Sequence, residues 1–141
     1  MDNNIHATLI SFNNNGILLI GKSGSGKSDL ALRMIMEKGA LLVTDDRVDL
    51  TIIDHQLYGS APKELYGKME IRGLGIAHFT PKEKEKITLC VELAENRDEI
   101  ERMPEAEDIT FLGVSITKIK LYPFDCSTIS KIVAKISGII G

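Results

Sequence analysis

The sequence predicts one α/β domain over residues 1–141, with a strand–helix–strand nucleus and a mixed, largely antiparallel sheet. Three observations predict this fold. Residues 17–20 form a short apolar run bounded by glycines, which is typical of a buried strand. Apolar residues at helical spacing and a second apolar run at residues 41–43 follow it. Later segments alternate apolar and polar residues, as half-exposed antiparallel strands do.

The first elements can be assigned in order along the chain. Residues 5–12 are rich in apolar side chains, and Asn13-Asn14-Asn15-Gly16 is a strong turn signal, so residues 5–20 predict a hairpin. The helix that follows is predicted from the spacing of Leu30, Ala31, Met34 and Ile35. Gly39 stands where the left-handed residue at a helix C-terminus belongs.

The rest of the chain predicts short strands and a last helix. The strands are expected at residues 48–53, 56–58, 69–71, 87–91, 109–112 and 116–121. Two charged stretches, residues 81–86 and 92–108, are expected to be surface loops or an exposed helix. Residues 127–137 carry their apolar side chains on one face and predict an amphipathic helix.

Composition and charge exclude several classes of protein. A net charge of −3 gives no overall electrostatic reason to expect nucleic acid or an anionic membrane as a partner. The two cysteines, Cys90 and Cys126, lie far apart without histidines, which predicts reduced thiols rather than a zinc site or a disulfide. The N-terminus lacks the pattern of a signal peptide, and no apolar run is long enough to span a bilayer. A cytoplasmic protein is expected.

One motif predicts phosphate binding. Gly21, Lys22, Ser23, Gly24, Ser25, Gly26, Lys27 and Ser28 fit the P-loop pattern G-x-x-x-x-G-K-[ST], between a predicted strand and a predicted helix. Glycines let successive backbone N–H groups curl around an anion, and the following helix directs its positive end there. Lys27 adds a charge for the β- and γ-phosphates, and the Ser28 hydroxyl can ligate Mg²⁺. The motif predicts a P-loop domain that binds ATP and Mg²⁺.

An aspartate pair follows the second buried strand. A right-handed crossover should place residues 41–43 parallel to the P-loop strand, so that Asp45 and Asp46 emerge near the γ-phosphate. One carboxylate could act on the metal while the other accepts a proton from an attacking hydroxyl. A turn that is merely capped by aspartates is the alternative.

These segments together resemble a known family. The P-loop, Val43-Thr44-Asp45-Asp46, Gly59-Ser60-Ala61-Pro62 and Met69-Glu70-Ile71-Arg72-Gly73-Leu74-Gly75-Ile76 have the order and spacing of the HPr kinase/phosphorylase catalytic domain. The likeness is good from His6 to about Ile76 and weaker afterwards. The family phosphorylates a serine of HPr, the phosphocarrier of the bacterial sugar phosphotransferase system, and removes that phosphate with inorganic phosphate. The resemblance implies HPr as the partner and a homo-oligomer, a hexamer.

The resemblance also implies a role for individual residues. Asp45 would accept the serine proton in the forward reaction and donate it in reverse. His6 matches the active-site histidine and Lys27 the P-loop lysine. Ser28 and Glu70 would be the Mg²⁺ ligands, and Asp46 and Arg72 would support the site. Without the resemblance, His6, Glu70 and Arg72 read equally well as structural or surface residues.

Three features of the sequence differ from the family pattern and affect the expected domain organisation and activity. The family's regulatory N-terminal domain has no counterpart, so a short form consisting of the catalytic domain is expected. The loop at residues 77–86 contains no arginine. The family's arginine-rich turn is replaced by Leu121-Tyr122-Pro123-Phe124-Asp125-Cys126. Since those arginines are linked to dephosphorylation, phosphorolysis is expected to be weak.

Two other functions stay open at this level. A small-molecule P-loop kinase would need a lid with several arginines, and the five arginines here are not clustered. A non-catalytic nucleotide sensor would keep the P-loop and lose the substrate machinery. The weak likeness of the C-terminal half favours a sensor, and the presence of Asp45, Lys27 and Glu70 counts against it.

Overall fold

The order of strands and helices follows the predicted nucleus. A computed structural model describes residues 3–140. Its elements are β1 (Asn4–His6), β2 (Thr8–Phe12), β3 (Asn15–Ile20), α1 (Lys27–Lys38), β4 (Leu41–Thr44), β5 (Arg47–Ile53), β6 (Gln56–Ser60), β7 (Lys68–Ile71), β8 (Gly75–His78), β9 (Lys84–Leu93), β10 (Glu107–Phe111), β11 (Val114–Leu121) and α2 (Thr128–Ile136). The α/β class and the mixed sheet are confirmed, as are the hairpin of β2 and β3 and the last helix.

The strand–helix–strand nucleus contains an inserted strand. The main sheet has the order β1-β5-β6-β9-β3-β2-β4, with β11 on β9 and β10 on β11. Both β3 and β4 pair antiparallel with β2, so they run in the same direction. The predicted parallel direction is confirmed, although β2 separates the two strands. The carboxyl ends of β3 and β4 therefore lie at one edge of the sheet.

Strand β9 corrects the prediction for the two charged stretches. Residues 84–86, expected in a loop, pair with β6, and Glu92 is still part of β9. The reason is alternation: Lys84 faces solvent, whereas Glu85 points inward and accepts hydrogen bonds from Ser11 and Lys82. Charged residues can thus form a strand when the inward one finds partners. Glu107 already belongs to β10, and between the two strands lies a 3₁₀ turn at Arg97–Glu99.

Aliphatic side chains fill a core on each face of the sheet. Ile17 and Leu19 belong to the cluster beneath the helices, together with Leu30 and Ile132, while Leu18 belongs to the opposite cluster. This alternation along β3 is the strand period of two. The second cluster includes Cys90, and burial raises the pKa of its thiol to about 12. Cys90 and Cys126 are free thiols, as predicted.

A small hairpin stands apart from the main sheet. Strands β7 and β8 pair with each other, and β8 was not predicted. Met69 on β7 is buried in the cluster beneath the helices, which anchors the hairpin against α1. Within residues 3–140, no helix is long and apolar enough to cross a membrane.

Candidate active site

A large cavity lies between the P-loop and the hairpin of β7 and β8. Its volume is about 1180 Å³. The predicted site residues that line it are His6, Gly21, Ser23, Gly24, Gly26, Lys27, Ser28, Asp46, Glu70 and Arg72. Three other predicted residues lie outside the lining. The Lys22 ammonium is paired with Glu95 at 2.7 Å, the Ser25 hydroxyl is buried, and Asp45 lies behind Ser28.

The P-loop has the backbone that its sequence predicts. It connects the end of β3 to the first residue of α1, Lys27. Gly24 and Gly26 have φ angles of 80° and 104°, in the region that favours glycine. The N-terminus of α1 has no side-chain cap, so its N–H groups are open to an anion. The loop is therefore shaped to surround a phosphate.

Lys27 lies over the loop to which it belongs. Its ammonium donates hydrogen bonds to the carbonyl oxygens of Gly21, at 2.9 Å, and Lys22, at 3.0 Å. Burial lowers the pKa of Lys27 below its usual range, although the carboxylates of Asp46 and Asp45 act in the opposite direction. The ammonium thus sits at the cavity wall with two acidic groups nearby.

Asp45 is joined to the P-loop serine. The Oγ of Ser28 lies 2.8 Å from Oδ1 and 3.0 Å from Oδ2 of Asp45. Thr8 on β2 donates a further hydrogen bond of 2.8 Å to Oδ1. The Asp45 side chain is buried and is held by hydrogen bonds from β2 and from α1. Thr8 was not singled out in the sequence, since its role depends on β2 lying between β3 and β4.

Asp46 is arranged differently from its neighbour. It is exposed and has a φ of 75°, which asparagine and aspartate tolerate better than most residues. Its Oδ1 lies 4.0 Å from Nδ1 of His6. The other ring nitrogen, Nε2, lies 2.9 Å from the guanidinium of Arg47. Because a guanidinium only donates, Nε2 accepts and the ring proton lies on Nδ1, toward Asp46.

Arg47 was not predicted from the sequence; it lies outside the cavity lining but contacts His6, which belongs to that lining. Its guanidinium also donates to Oδ1 of Asn4 at 2.6 Å, so it links the start of β5 to β1. It follows the aspartate pair directly, and its side chain reaches His6 because β1 pairs with β5. Its position directly after Asp46 in the sequence was the signal by which Arg47 could have been found.

Glu70 and Arg72 reach the cavity from the hairpin. Both are exposed and belong to its lining. Among residues 3–140 no group of three or more His, Cys, Asp or Glu side chains is arranged to hold a metal ion.

The chain is similar to known proteins of one family. A family model described as the HPr Serine kinase C-terminal domain matches residues 1–137. An HPr kinase/phosphorylase of Clostridium beijerinckii is 37% identical over 125 residues, 82% of this chain and 41% of the relative. One from Malacoplasma penetrans is 30% identical over 126 residues, 84% of this chain and 42% of the relative. The chain thus spans about two fifths of the length of these curated relatives.

A solved structure shares the fold. The Hpr(Ser) kinase/phosphatase from Coxiella burnetii superposes with a TM-score of 0.81 and 23% sequence identity. The superposition covers 96% of this chain and 88% of that one. The similarity therefore extends over nearly the whole chain, the P-loop nucleus and the C-terminal strands included.

Proposed function

Since this chain belongs to the family of HPr serine kinase C-terminal domains, we propose that it transfers the γ-phosphoryl group of ATP to a serine of HPr. One observation carries the proposal. A single cavity is lined by the P-loop, by Asp46 and by Glu70 on the hairpin, and Asp45 is hydrogen-bonded to the P-loop serine at its wall. Phosphoryl transfer requires a phosphate-binding loop, carboxylates and a positive charge, and the loop lysine Lys27 supplies that charge.

The P-loop and Lys27 would bind the phosphates. Backbone N–H groups from Gly21 to Ser28 and the N-terminus of α1 would surround the β-phosphate. The ammonium of Lys27 would move from two carbonyl oxygens to the phosphate oxygens, which carry more negative charge. Transfer spreads charge over the γ-phosphoryl oxygens, so this ammonium stabilises the transition state.

The oxygen groups at the cavity wall fit Mg²⁺. The Ser28 hydroxyl and the Glu70 carboxylate are hard ligands of the kind that this ion prefers. Asp45 holds the hydroxyl of Ser28 through both of its oxygens and so fixes its orientation. When bound, Mg²⁺ would neutralise part of the charge on the β- and γ-phosphates. We assign the ion to Ser28 and Glu70.

Asp45 would accept the proton of the attacking serine. A serine hydroxyl is a weak nucleophile and needs a base as the bond to phosphorus forms. The two oxygens of Asp45 accept from Ser28 and Thr8, and a carboxylate has about four acceptor sites, so one more donor can be accepted. In the reverse reaction the same group would return the proton. His6, Asp46 and Arg72 would orient the acceptor and balance its charge.

HPr is the proposed protein acceptor, and the assembly is proposed to be a homo-oligomer, a hexamer. Both rest on membership of the family. Analytical ultracentrifugation of the chain tests the assembly.

Mass spectrometry of HPr tests the function. The chain is incubated with ATP, Mg²⁺ and HPr, and HPr should gain one phosphoryl group on a serine. HPr with that serine changed to alanine, and the Lys27→Ala chain, should give none. Phosphate appearing on a nucleotide or sugar instead would favour a small-molecule kinase. ATP binding without transfer to any acceptor would favour a nucleotide sensor.

A further inference from the structure

An exposed aromatic ring lies against the P-loop. The side chain of Phe124 is 55% exposed and lines the cavity that contains Lys27 and Ser28. Its ring touches the loop itself, since a Cβ added to Gly26 would lie 2.9 Å from Cζ of Phe124. A single exposed ring is ordinary on a protein surface, but this one lies in the cavity and against the P-loop. It forms one side of the entrance to the phosphate loop.

Contacts on both sides hold this ring in place. Tyr122 and Phe124 meet edge to face, with centroids 5.6 Å apart and planes at 80°. Arg33 on α1 donates a hydrogen bond of 2.6 Å to the carbonyl oxygen of Pro123. Thr128 on α2 donates one of 2.6 Å to that of Tyr122. The segment from Tyr122 to Phe124 is therefore fixed to both α1 and α2. The Phe124 ring faces the cavity from a backbone that is held in place.

The topology places this ring at the same edge of the sheet as the P-loop. Strand β11 is parallel to β9, and β9 is parallel to β3, so β11 ends at the same edge of the sheet as the P-loop strand. Ligands of open α/β sheets bind at that edge. The cavity of about 1180 Å³ is much larger than a triphosphate needs, and a whole nucleotide can enter it. Once the phosphates occupy the loop, a flat base can reach the ring beside Gly26.

We propose that Phe124 is the platform on which the purine base of ATP stacks. This inference rests on the proposed function, because it concerns the nucleotide of the same site. Every base offers a π-face to an aromatic side chain, and such stacking tolerates different bases. The platform would therefore give the site a preference for nucleoside triphosphates over inorganic polyphosphates, with little distinction between ATP and GTP. Arg33 would be a positioning residue, since it acts on the ring through Pro123.

Calorimetric titration with two ligands tests the platform without any acceptor protein. Mg²⁺–ATP and Mg²⁺–tripolyphosphate share the phosphates, and only ATP carries a base. The full-length wild-type chain should bind ATP more tightly than tripolyphosphate. Phe124→Ala and Phe124→Leu should bind ATP about 10- to 100-fold more weakly and tripolyphosphate as before. Phe124→Tyr, which keeps the ring, should retain ATP affinity. Met103→Ala, at a side chain 87% exposed and outside the cavity lining, is the matched control.

The outcomes separate this inference from the proposed function. If Phe124→Leu binds ATP as tightly as the wild type, the platform is wrong and the kinase proposal stands. Equal affinity of the wild type for ATP and tripolyphosphate overturns the platform in the same way. If the wild type binds neither ligand, both proposals fail. If ATP binding depends on the ring but HPr is not phosphorylated, the platform is supported and the kinase proposal is wrong. Unchanged tripolyphosphate affinity in the variants also shows that they are folded.

Discussion

The ammonium of Lys27 lies 2.9 Å from the carbonyl oxygen of Gly21, the first glycine of its own loop. The lysine is thus held beside the loop, so only its side chain would move to exchange these carbonyl oxygens for phosphate oxygens. Its position is determined by the loop and by the first turn of α1. Such preorganisation means that little rearrangement is needed when charge develops on the transferred group.

Lys27→Ala is expected to abolish transfer and to weaken ATP binding, because the charge that faces the γ-phosphoryl group is lost. Transfer should fall by at least the roughly 10²- to 10³-fold that is typical of losing one such electrostatic contact. Transfer to HPr and a calorimetric titration with Mg²⁺–ATP measure the two effects. Lys38→Ala, at an exposed lysine at the other end of the same helix, should behave as the wild type. Normal affinity and turnover in Lys27→Ala would contradict the P-loop assignment.

Glu70→Gln is expected to raise the Mg²⁺ concentration needed for half-maximal activity. A neutral amide is a poorer ligand for a hard cation than a carboxylate of the same shape. A titration of activity with Mg²⁺ at saturating ATP measures the change, and Glu37→Gln, an exposed glutamate on α1, is the control. If the Mg²⁺ titration of Glu70→Gln is unchanged, Glu70 does not bind the metal ion.

Phosphorolysis is expected to be much slower than the kinase reaction. Inorganic phosphate must approach a phosphoserine dianion, and this crowding of negative charge requires cations. Among the described residues that line the cavity there is one lysine, Lys27, and one arginine, Arg72, to balance this charge. Pyrophosphate release from serine-phosphorylated HPr and inorganic phosphate measures the reverse rate. A reverse rate comparable with the forward rate would show that these cations suffice.

Much of this site could be predicted from the sequence because it is built from local patterns. The P-loop, its helix and the aspartate pair lie within 26 residues, from Gly21 to Asp46, and each has its own spacing or turn signal. The family expected from these motifs is also the one whose model matches the chain.

The missed parts depend on contacts between distant segments. Thr8 meets Asp45 because β2 lies between β3 and β4. Phe124 lies on Gly26 because β11 is parallel to β9. Periodicity reports whether a strand exists, not which strand is its neighbour, so these contacts had no sequence signal. The misassigned start of β9 has the same cause, since the partners of Glu85 are in β2 and in the preceding turn.

Glu85→Gln is expected to lower the free energy of unfolding at neutral pH by about 1–3 kcal/mol. Burial alone would raise the pKa of Glu85, but hydrogen bonds from Lys82, Ser11 and the Lys86 backbone outweigh it and hold this pKa below its usual range. In the glutamine variant, the amide group cannot accept from all of these donors. Urea denaturation at pH 7 measures the loss, with the exposed Glu83→Gln as the control.

The pH dependence of this effect has a definite sign. A carboxyl whose pKa is lower in the folded state stabilises the fold above its unfolded pKa, which is about 4.3. That stabilisation is lost as the pH falls through the folded-state pKa. The difference between the wild type and Glu85→Gln should therefore shrink on acidification below about pH 4. A difference that stays constant down to about pH 2 would mean that the charge of Glu85 has no part in it.

Asp45→Asn should separate chemistry from binding. The asparagine oxygen can keep the position of Oδ1 and accept from Thr8 and Ser28, while its amide group faces the Ser28 oxygen. The fold and the affinity for Mg²⁺–ATP should therefore change little. The amide cannot accept the serine proton, so transfer to HPr should fall about 10²- to 10⁴-fold. Single-turnover transfer and a nucleotide titration measure the two quantities.

Asp46→Asn is the matched variant for this test. Asparagine tolerates the φ of 75° at this position as aspartate does, so the backbone should be undisturbed. Asp46 is exposed beside His6, and its replacement should cost less activity than that of Asp45 if it only supports the site. A larger loss in Asp46→Asn would make Asp46, with His6 beside it, the proton acceptor. If Asp45→Asn instead weakens Mg²⁺–ATP binding and leaves turnover at saturation intact, Asp45 acts through Ser28 on the metal, because both of its oxygens are hydrogen-bonded to that hydroxyl.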